Sequence, residues 1–168
     1  MNGHAKFLTH LLLLPRPDGQ TWTVEEPFAY SPAGGGHITV PTGFVTDLAS
    51  IPPLGVVGGL VMGAAYGLTL AEVRGASGLF LAGWAVAVSS AWLKPFGKFT
   101  EAAVLHDWLY RSHCVSRAVA DALLLEAMTL CRVPRWQRLA IYLNVRLFGW
   151  AAWRNEKRWV PRRTHSEA

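Results

Sequence analysis

Residues 99–128 read FTEAAVLHDWLYRSHCVSRAVADALLLEAM and predict two helices joined by a short turn. Thr100 suits the N-cap of the first helix, and Glu101 places a negative charge in its first turn, where the helix dipole favours it. Residues 112–115 interrupt the helical pattern. Ser116 suits the N-cap of a second helix that runs to about Cys131. The stretch therefore predicts a helical hairpin.

This hairpin brings one histidine and one carboxylate to nearly the same height. His106 lies about two turns before the bend and Asp121 about one and a half turns after it, so antiparallel helices would let them face each other. Asp121 belongs to a stripe whose other members are Ala118, Leu124, Leu125 and Met128. Because an unpaired carboxylate on an apolar stripe is costly to bury, we expect the imidazole of His106 to be its partner.

A histidine held by a carboxylate is typical of a positioned general base. Asp107 points about 100° away from His106 and is a candidate for binding a cation or for a second hydrogen bond. Tyr110, one turn further on, shares the face of His106. The same residues also fit a buried polar clamp that only fixes the helix pair. Spacing does not decide between a site and a clamp, and both interpretations stay open.

The composition indicates one domain, residues 1–168, with an apolar character. The chain has 168 residues, of which 51% are hydrophobic and 16% charged, and its formal net charge is +5. A positive charge suits an anionic surface such as lipid headgroups or nucleic acid. Of these two we expect a lipid membrane, and not nucleic acid, as a partner. Cys114 and Cys131 mark the two ends of the second predicted helix, about 25 Å apart, which excludes a disulfide between them.

Residues 5–50 predict a small antiparallel sheet. The apolar run Phe7–Leu14 is expected to form the first strand rather than a signal peptide, and a turn follows at Pro17-Asp18-Gly19. Alternation predicts a strand over Gln20–Glu25, with Trp22 and Val24 on one face. Two further strands, Pro27–Tyr30 and His37–Val40, flank a loop that contains Gly34-Gly35-Gly36.

The segment Thr46–Ser50 carries short polar residues that favour a tight, rigid loop. One interpretation is a turn that leads out of the sheet. The other places Asp47 or Ser50 at the mouth of the helical site.

Residues 54–95 predict an apolar helical hairpin inserted between the sheet and the helical residues 99–155. Ile51–Ala71 and Gly75–Leu93 contain no charged residue, and each has about the length of a bilayer-spanning helix. A glycine recurs at every fourth position from Gly55 to Gly67, which lets helices approach closely. A hairpin inserted in a membrane and a hairpin buried within a homo-oligomer both stay open.

Residues Pro134–Trp153 predict a third helix, with Pro134 near its first position. Arginine and tryptophan alternate through this last quarter and into a basic tail at residues 156–168. This mixture suits a membrane interface, although a solvated basic face with a frayed tail would have the same composition.

Three segments share a family pattern: VPTGFVTDLASIP at residues 40–52, AVLHDWLY at residues 103–110, and Ala120-Asp121 with Met128. Together they resemble a phage- and prophage-associated family known as domain of unknown function 1353. The spacing of Tyr142, Arg146, Phe148-Gly149 and Trp153 is similar to the last helix of that family. The resemblance covers nearly the whole chain except residues 55–95, and it implies a phage protein without a defined activity.

The pair His106-Asp107, followed by Tyr110, also resembles the catalytic core of phospholipase A2. That resemblance implies that His106 deprotonates a water, that Asp121 holds its other ring nitrogen and that Tyr110 braces the dyad. It further implies that Asp107 ligates Ca²⁺. The glycine-rich calcium loop of that enzyme would have to be replaced by Gly34–Gly36 or by Thr42–Ser50, which makes Asp47 a second candidate ligand.

The sequence thus predicts an α+β fold: a small antiparallel sheet, then a helical half with an inserted apolar hairpin. We expect a phage-encoded protein of the virion or the host envelope, cytoplasmic before assembly, with a hydrolase-like His/Asp centre acting on lipid esters. The alternative is a non-enzymatic component of a phage tail or assembly. A third interpretation is a metal phosphohydrolase that uses His106, Asp107 and Asp121. Its further candidate ligands are His37 and His113. Expected partners are a lipid membrane, other virion proteins and further copies of the chain.

Overall fold

A computed structural model describes residues 4–48 and 99–155 of the chain, together with residues 66, 68, 77, 78, 81 and 97. Residues 4–48 form two three-stranded antiparallel sheets. The first has the order β1 (Lys6–Phe7), β4 (Phe28–Ser31), β5 (Ile38–Val40), and the second has the order β2 (Leu13–Pro15), β3 (Trp22–Val24), β6 (Val45–Thr46). Three helices follow within residues 99–155, so the predicted α+β class is confirmed.

The prediction of one first strand over Phe7–Leu14 is wrong, because the run is divided between the two sheets. The reason is Thr9, whose hydroxyl donates to the carbonyl of Pro27 (3.0 Å) and accepts from the amide of Ala29 (2.8 Å). The side chain thereby takes over the backbone pairing beside β4, and the chain leaves that sheet. It enters the second sheet at Leu13, which pairs with Val24.

The predicted turn at Pro17-Asp18-Gly19 is confirmed. Gly19 has φ 65° and donates to the carbonyl of Arg16 at 3.0 Å. The Asp18 carboxylate accepts from the amides of Gln20 and Thr21, both at 2.9 Å. An aspartate that bonds to amides two and three residues ahead holds such a turn closed.

The helices are α1 (Thr100–Ser112), α2 (Arg117–Leu130) and α3 (Arg135–Asn155). The N-cap prediction for α1 is wrong by one residue: Phe99 holds the cap position, and the Thr100 hydroxyl donates to the carbonyl of Gly97 at 2.9 Å. The predicted cap of α2 is confirmed, because the Ser116 hydroxyl accepts from the amide of Val119 at 3.4 Å. His113, with φ 53°, ends α1 in the left-handed conformation and starts the turn into α2.

One continuous core joins the helices to the strands. Phe44 packs edge-on against Trp108 of α1, with ring centroids 5.3 Å apart. On the other side, the Tyr30 hydroxyl of β4 donates to the Glu126 carboxylate of α2. These two contacts help to fix the helical hairpin to the strands, and His106, Asp107 and Asp121 are buried.

The predicted apolar hairpin at residues 54–95 lies outside the described residues, except for single helical residues at 66, 68, 77, 78 and 81. The basic tail at residues 156–168 also lies outside them. Among the helices that the structure does describe, none combines the length and the apolar character needed to cross a membrane. Insertion of residues 54–95 in a membrane stays a prediction.

Candidate polar site between the three helices

The predicted meeting of His106 and Asp121 is present. The Nε2 atom of His106 on α1 lies 3.1 Å from Oδ1 of Asp121 on α2. The Tyr110 hydroxyl donates to the same oxygen at 2.7 Å, and the Tyr110 ring lies 4.2 Å from the His106 ring between centroids. The hairpin geometry read from the sequence therefore holds at the level of side chains.

Two arginines that sequence reasoning had not assigned to this site complete it. Arg146 of α3 donates from Nη1 to Oδ2 of Asp121 at 3.0 Å. Arg117 lies one turn before Asp121, with its Nη1 atom 3.6 Å from the same oxygen. Arg117 also donates to the carbonyls of Val145 and Arg146, so it ties α2 to α3. Asp121 thus forms hydrogen bonds with α1 and α3 and an ion pair with Arg117 on its own helix.

Burial and hydrogen bonding set the charge states of the cluster. Burial lowers the pKa of His106 below its ordinary value and outweighs the raising effect of Asp121. Burial acts to raise the pKa of Asp121, but hydrogen bonds from His106, Tyr110 and Arg146 outweigh it and hold the pKa below its ordinary value. Burial also raises the pKa of Tyr110. At neutral pH the cluster therefore contains a neutral imidazole, a carboxylate and a neutral phenol.

The neutral imidazole has a definite tautomer. Because the Asp121 carboxylate only accepts, His106 must donate from Nε2, which leaves Nδ1 as the nitrogen with a lone pair. That Nδ1 atom is buried and has no hydrogen-bond partner. It is the one ring atom of His106 that a general base would use.

Asp107 lies apart from this cluster and holds a different segment. It is 2% exposed, and its Oδ2 accepts from the Thr46 hydroxyl of β6. The Thr46 hydroxyl oxygen in turn accepts from the amide of Leu48 at 3.1 Å, and Arg111 donates to the carbonyl of Val45 at 3.1 Å. The predicted loop after β6 is therefore fastened to α1 by a carboxylate and a guanidinium.

The two candidate calcium ligands differ in their surroundings. Asp107 is buried with a protein donor, whereas Asp47 is exposed at the surface beside Thr46, and Ser50 lies outside the described residues. Across the described ranges 4–48 and 99–155, no three His, Cys, Asp or Glu side chains are grouped so that they could hold a metal ion. His113, a candidate ligand in the phosphohydrolase interpretation, stacks on Trp153 with 4.2 Å between ring centroids. A calcium ion at Asp107 and Asp47 stays a prediction.

Gly149 gives α3 its close approach to the cluster. A Cβ atom at this position would lie 2.6 Å from the Tyr110 hydroxyl oxygen, which is too close for any real contact. We expect Gly149→Ala to lower the free energy of unfolding by about 1 kcal/mol, because the steric cost exceeds the gain in helix propensity. Chemical denaturation of Gly149→Ala, Tyr110→Phe and the double variant checks this. The double variant lacks the clashing oxygen, so its loss in free energy of unfolding should be smaller than the sum of the losses in the two single variants. A loss equal to that sum would contradict the contact.

The depressed pKa of His106 predicts a loss of stability on acidification. The unfolded chain takes up a proton at the ordinary histidine pKa of 6.5, whereas folded His106 does so only at lower pH. The free energy of unfolding should therefore be unaffected by His106 well above pH 6.5 and should fall as the pH drops below it. Denaturation series from pH 8 to pH 5 check this, and His106→Gln should show a shallower fall. Equal slopes in the two proteins would contradict the assignment.

Comparison with known proteins adds one finding. The model of a family described as "Protein of unknown function (DUF1353)" matches residues 22–66 and 86–145, which include β3 to β6, α1, α2 and the first half of α3. Neither the curated proteins nor the solved structures provide a match. The match spans His106, Asp107, Tyr110 and Asp121, and Arg146 is the first residue beyond it.

Proposed function

Since this chain belongs to the DUF1353 family, whose description names no activity, we propose a function from its polar site: a non-enzymatic structural component of a phage tail or other phage assembly. In this proposal the Asp121 cluster locks the three helices together. The Asp107–Thr46 bond fastens the strands to them. The phage association rests on the family resemblance of residues 40–52 and 103–128. The protein would then act in the virion or at the host envelope, in contact with other virion proteins.

The observation that carries this proposal is the enclosure of the site. His106, Asp107 and Asp121 are at most 2% exposed. Both carboxylates accept from side chains of other elements, Thr46 in one case and His106, Tyr110 and Arg146 in the other. Ligand sites are usually clefts with a few polar groups directed at the ligand. Here the polar groups are directed at each other, which is the arrangement of an internal clamp.

One observation favours the second candidate, a hydrolase acting on lipid esters. The Nδ1 atom of His106 is buried without a partner, and an unsatisfied buried polar atom calls for an explanation. If a water reached it, Nδ1 would accept the proton as that water attacked an ester carbonyl. Asp121 would then stabilise the imidazolium through Nε2, and the imidazolium would return the proton to the leaving alcohol as the acyl–oxygen bond breaks. A cation at Asp107 and Asp47 would stabilise the developing oxyanion.

An activity assay separates the two candidates. Purified protein is incubated with phospholipid vesicles and with a soluble ester, with Ca²⁺, Mg²⁺ or Zn²⁺ added in turn. The structural proposal predicts that the wild type and His106→Gln are equally inactive. His10→Gln, which changes an exposed histidine, is the matched control. Hydrolysis by the wild type and by His10→Gln that is lost in His106→Gln would overturn the structural proposal.

The assembly itself is tested on a phage that encodes this chain. Mass spectrometry of purified particles should find the protein in a fixed ratio to the other tail or capsid proteins. A protein that is made during infection but is absent from purified particles and from particle intermediates would contradict a structural role.

A further inference from the structure

Helix α3 turns an unusually apolar side toward solvent. Of its six exposed large apolar side chains, all but Phe148 recur at the spacing of one helical face and are between 53% and 64% exposed: Trp136, Leu139, Leu143, Leu147 and Trp150. At about 100° per residue they fall within an arc of about 80°, and at about 1.5 Å per residue they extend over about 21 Å. We call this set the α3 stripe. A contiguous exposed apolar patch of this kind marks an interaction surface.

The charges around the stripe identify its partner. Helix α3 contains four arginines and no acidic residue. Exposed Arg135 immediately precedes the stripe and exposed Arg154 follows it by one turn. Both ends of the apolar surface therefore carry positive charge. We propose that the α3 stripe lies in the surface of an anionic phospholipid membrane, with its axis parallel to the bilayer. This inference rests on α3 and on a cavity between α2 and α3, and it holds whether or not the Asp121 cluster is catalytic.

The residue types agree with that position. An interfacial helix carries tryptophan and leucine on the buried face and arginine on the polar face, and it enters the boundary between headgroups and acyl chains. Trp136 and Trp150 lie near the two ends of the stripe, with leucines between them. Tryptophan is enriched where one side of the ring is apolar and the other is wet.

A cavity beside the stripe offers a place for a lipid phosphate. It has a volume of about 200 Å³, lies between α2 and α3, and is lined by Leu125, Thr129, Arg135, Arg138 and Leu139. Leu139 belongs to the stripe as well, so the cavity adjoins the surface that would face the lipid. Arg138 donates from Nη1 to the Thr129 hydroxyl, while its buried Nε has no partner. Two guanidinium groups next to apolar walls fit the phosphate of a lipid.

A second copy of the chain fits the stripe less well. If two α3 helices packed stripe to stripe, the basic ends of one would meet the basic ends of the other in either orientation. The helix offers no acidic side chain to compensate this repulsion. An anionic bilayer supplies the opposite charge at both ends of the stripe and apolar volume between them.

Vesicle binding tests the proposal. The full-length protein is mixed with vesicles of phosphatidylcholine containing phosphatidylglycerol, and binding is measured by flotation. We expect Leu143→Gln/Leu147→Gln to bind at least about tenfold more weakly than the wild type. Leu12→Gln/Leu14→Gln is the matched control, because it removes two leucines of similar exposure at and beside β2. Circular dichroism confirms that both variants fold. Vesicle binding that is unchanged in Leu143→Gln/Leu147→Gln would overturn the proposal. This holds even if residues 54–95 were responsible for that binding.

The charge requirement is tested separately. Arg135→Gln/Arg154→Gln should weaken binding to the same vesicles, and added salt should weaken wild-type binding. Vesicles of phosphatidylcholine alone should bind the protein less, and inorganic phosphate should not displace it from anionic vesicles when the ionic strength is kept constant. Equal binding to neutral and anionic vesicles would overturn the proposal. Displacement by phosphate would do the same, because the cavity would then be a site for the free ion. A third outcome would also overturn the proposal. If the wild type bound no vesicles but sedimented as a dimer, and Leu143→Gln/Leu147→Gln sedimented as a monomer, the stripe would be the contact surface for a second copy.

Discussion

Asp121→Ala is expected to lower the free energy of unfolding by about 3 kcal/mol or more. The carboxylate is fully buried and accepts from His106, Tyr110 and Arg146. Removing one partner from a buried, charged hydrogen-bonded cluster costs about 3–5 kcal/mol, because the remaining groups stay buried without compensation. Arg146 is partly exposed and regains water contacts, which places the expected value near the lower end of that range.

Urea denaturation followed by circular dichroism measures this loss. Glu26→Gln removes an exposed carboxylate and should change the free energy of unfolding by less than about 0.5 kcal/mol. Asp121→Asn keeps one acceptor and the shape of the side chain, so it should lie between the wild type and Asp121→Ala. If Asp121→Ala proved as stable as Glu26→Gln, the cluster would contribute nothing to the fold, and the structural account of it would fail.

Thr46→Val has the second largest expected effect, a loss of about 2 kcal/mol. Valine keeps the shape of threonine but removes the donor to the Asp107 carboxylate and the acceptor of the Leu48 amide. Leaving a buried acceptor short of one donor costs about 1–3 kcal/mol. Leu48 has φ 57°, a conformation that a leucine adopts only when its surroundings hold it there. Loss of the hydrogen bond from the Leu48 amide should therefore loosen the loop as well as destabilise the whole fold.

Denaturation gives the global effect, and amide hydrogen exchange at Leu48 gives the local one. Exchange at this amide should become faster in Thr46→Val than in the wild type, beyond the change expected from global stability. Thr42→Val, which alters an exposed threonine four residues earlier, is the matched control and should leave both measurements nearly unchanged. A Thr46→Val protein with wild-type stability and exchange would show that the bond to Asp107 does not fasten the strands.

The pairing of His106 with Asp121 could be predicted because both residues belong to one helical hairpin. Helix rise and a short turn determine which residues share a height, and the apolar stripe around Asp121 required a partner. Arg117 was accessible to the same reasoning, since it precedes Asp121 by four residues on the same helix. Arg146 was not accessible, because nothing in the sequence determines how α3 is rotated against the hairpin.

Other features depended on interactions that composition does not reveal. The run Phe7–Leu14 has no alternation, and the side chain of Thr9 decided where it divides. The enclosure of the polar site results from packing between α1, α2, α3 and the strands, and periodicity cannot distinguish a closed clamp from an open cleft. The exposed α3 stripe is a similar case, because only the orientation of the helix shows that its leucines face solvent.

The most direct test of the central claim is the protonation of His106, measured from the ring ¹⁵N chemical shifts between pH 8 and pH 5. An enclosed structural imidazole predicts one neutral tautomer, protonated at Nε2, without titration near the ordinary histidine pKa of 6.5. Titration of the His106 ring at or above pH 6.5, which is the behaviour of a dyad open to water, would contradict the account.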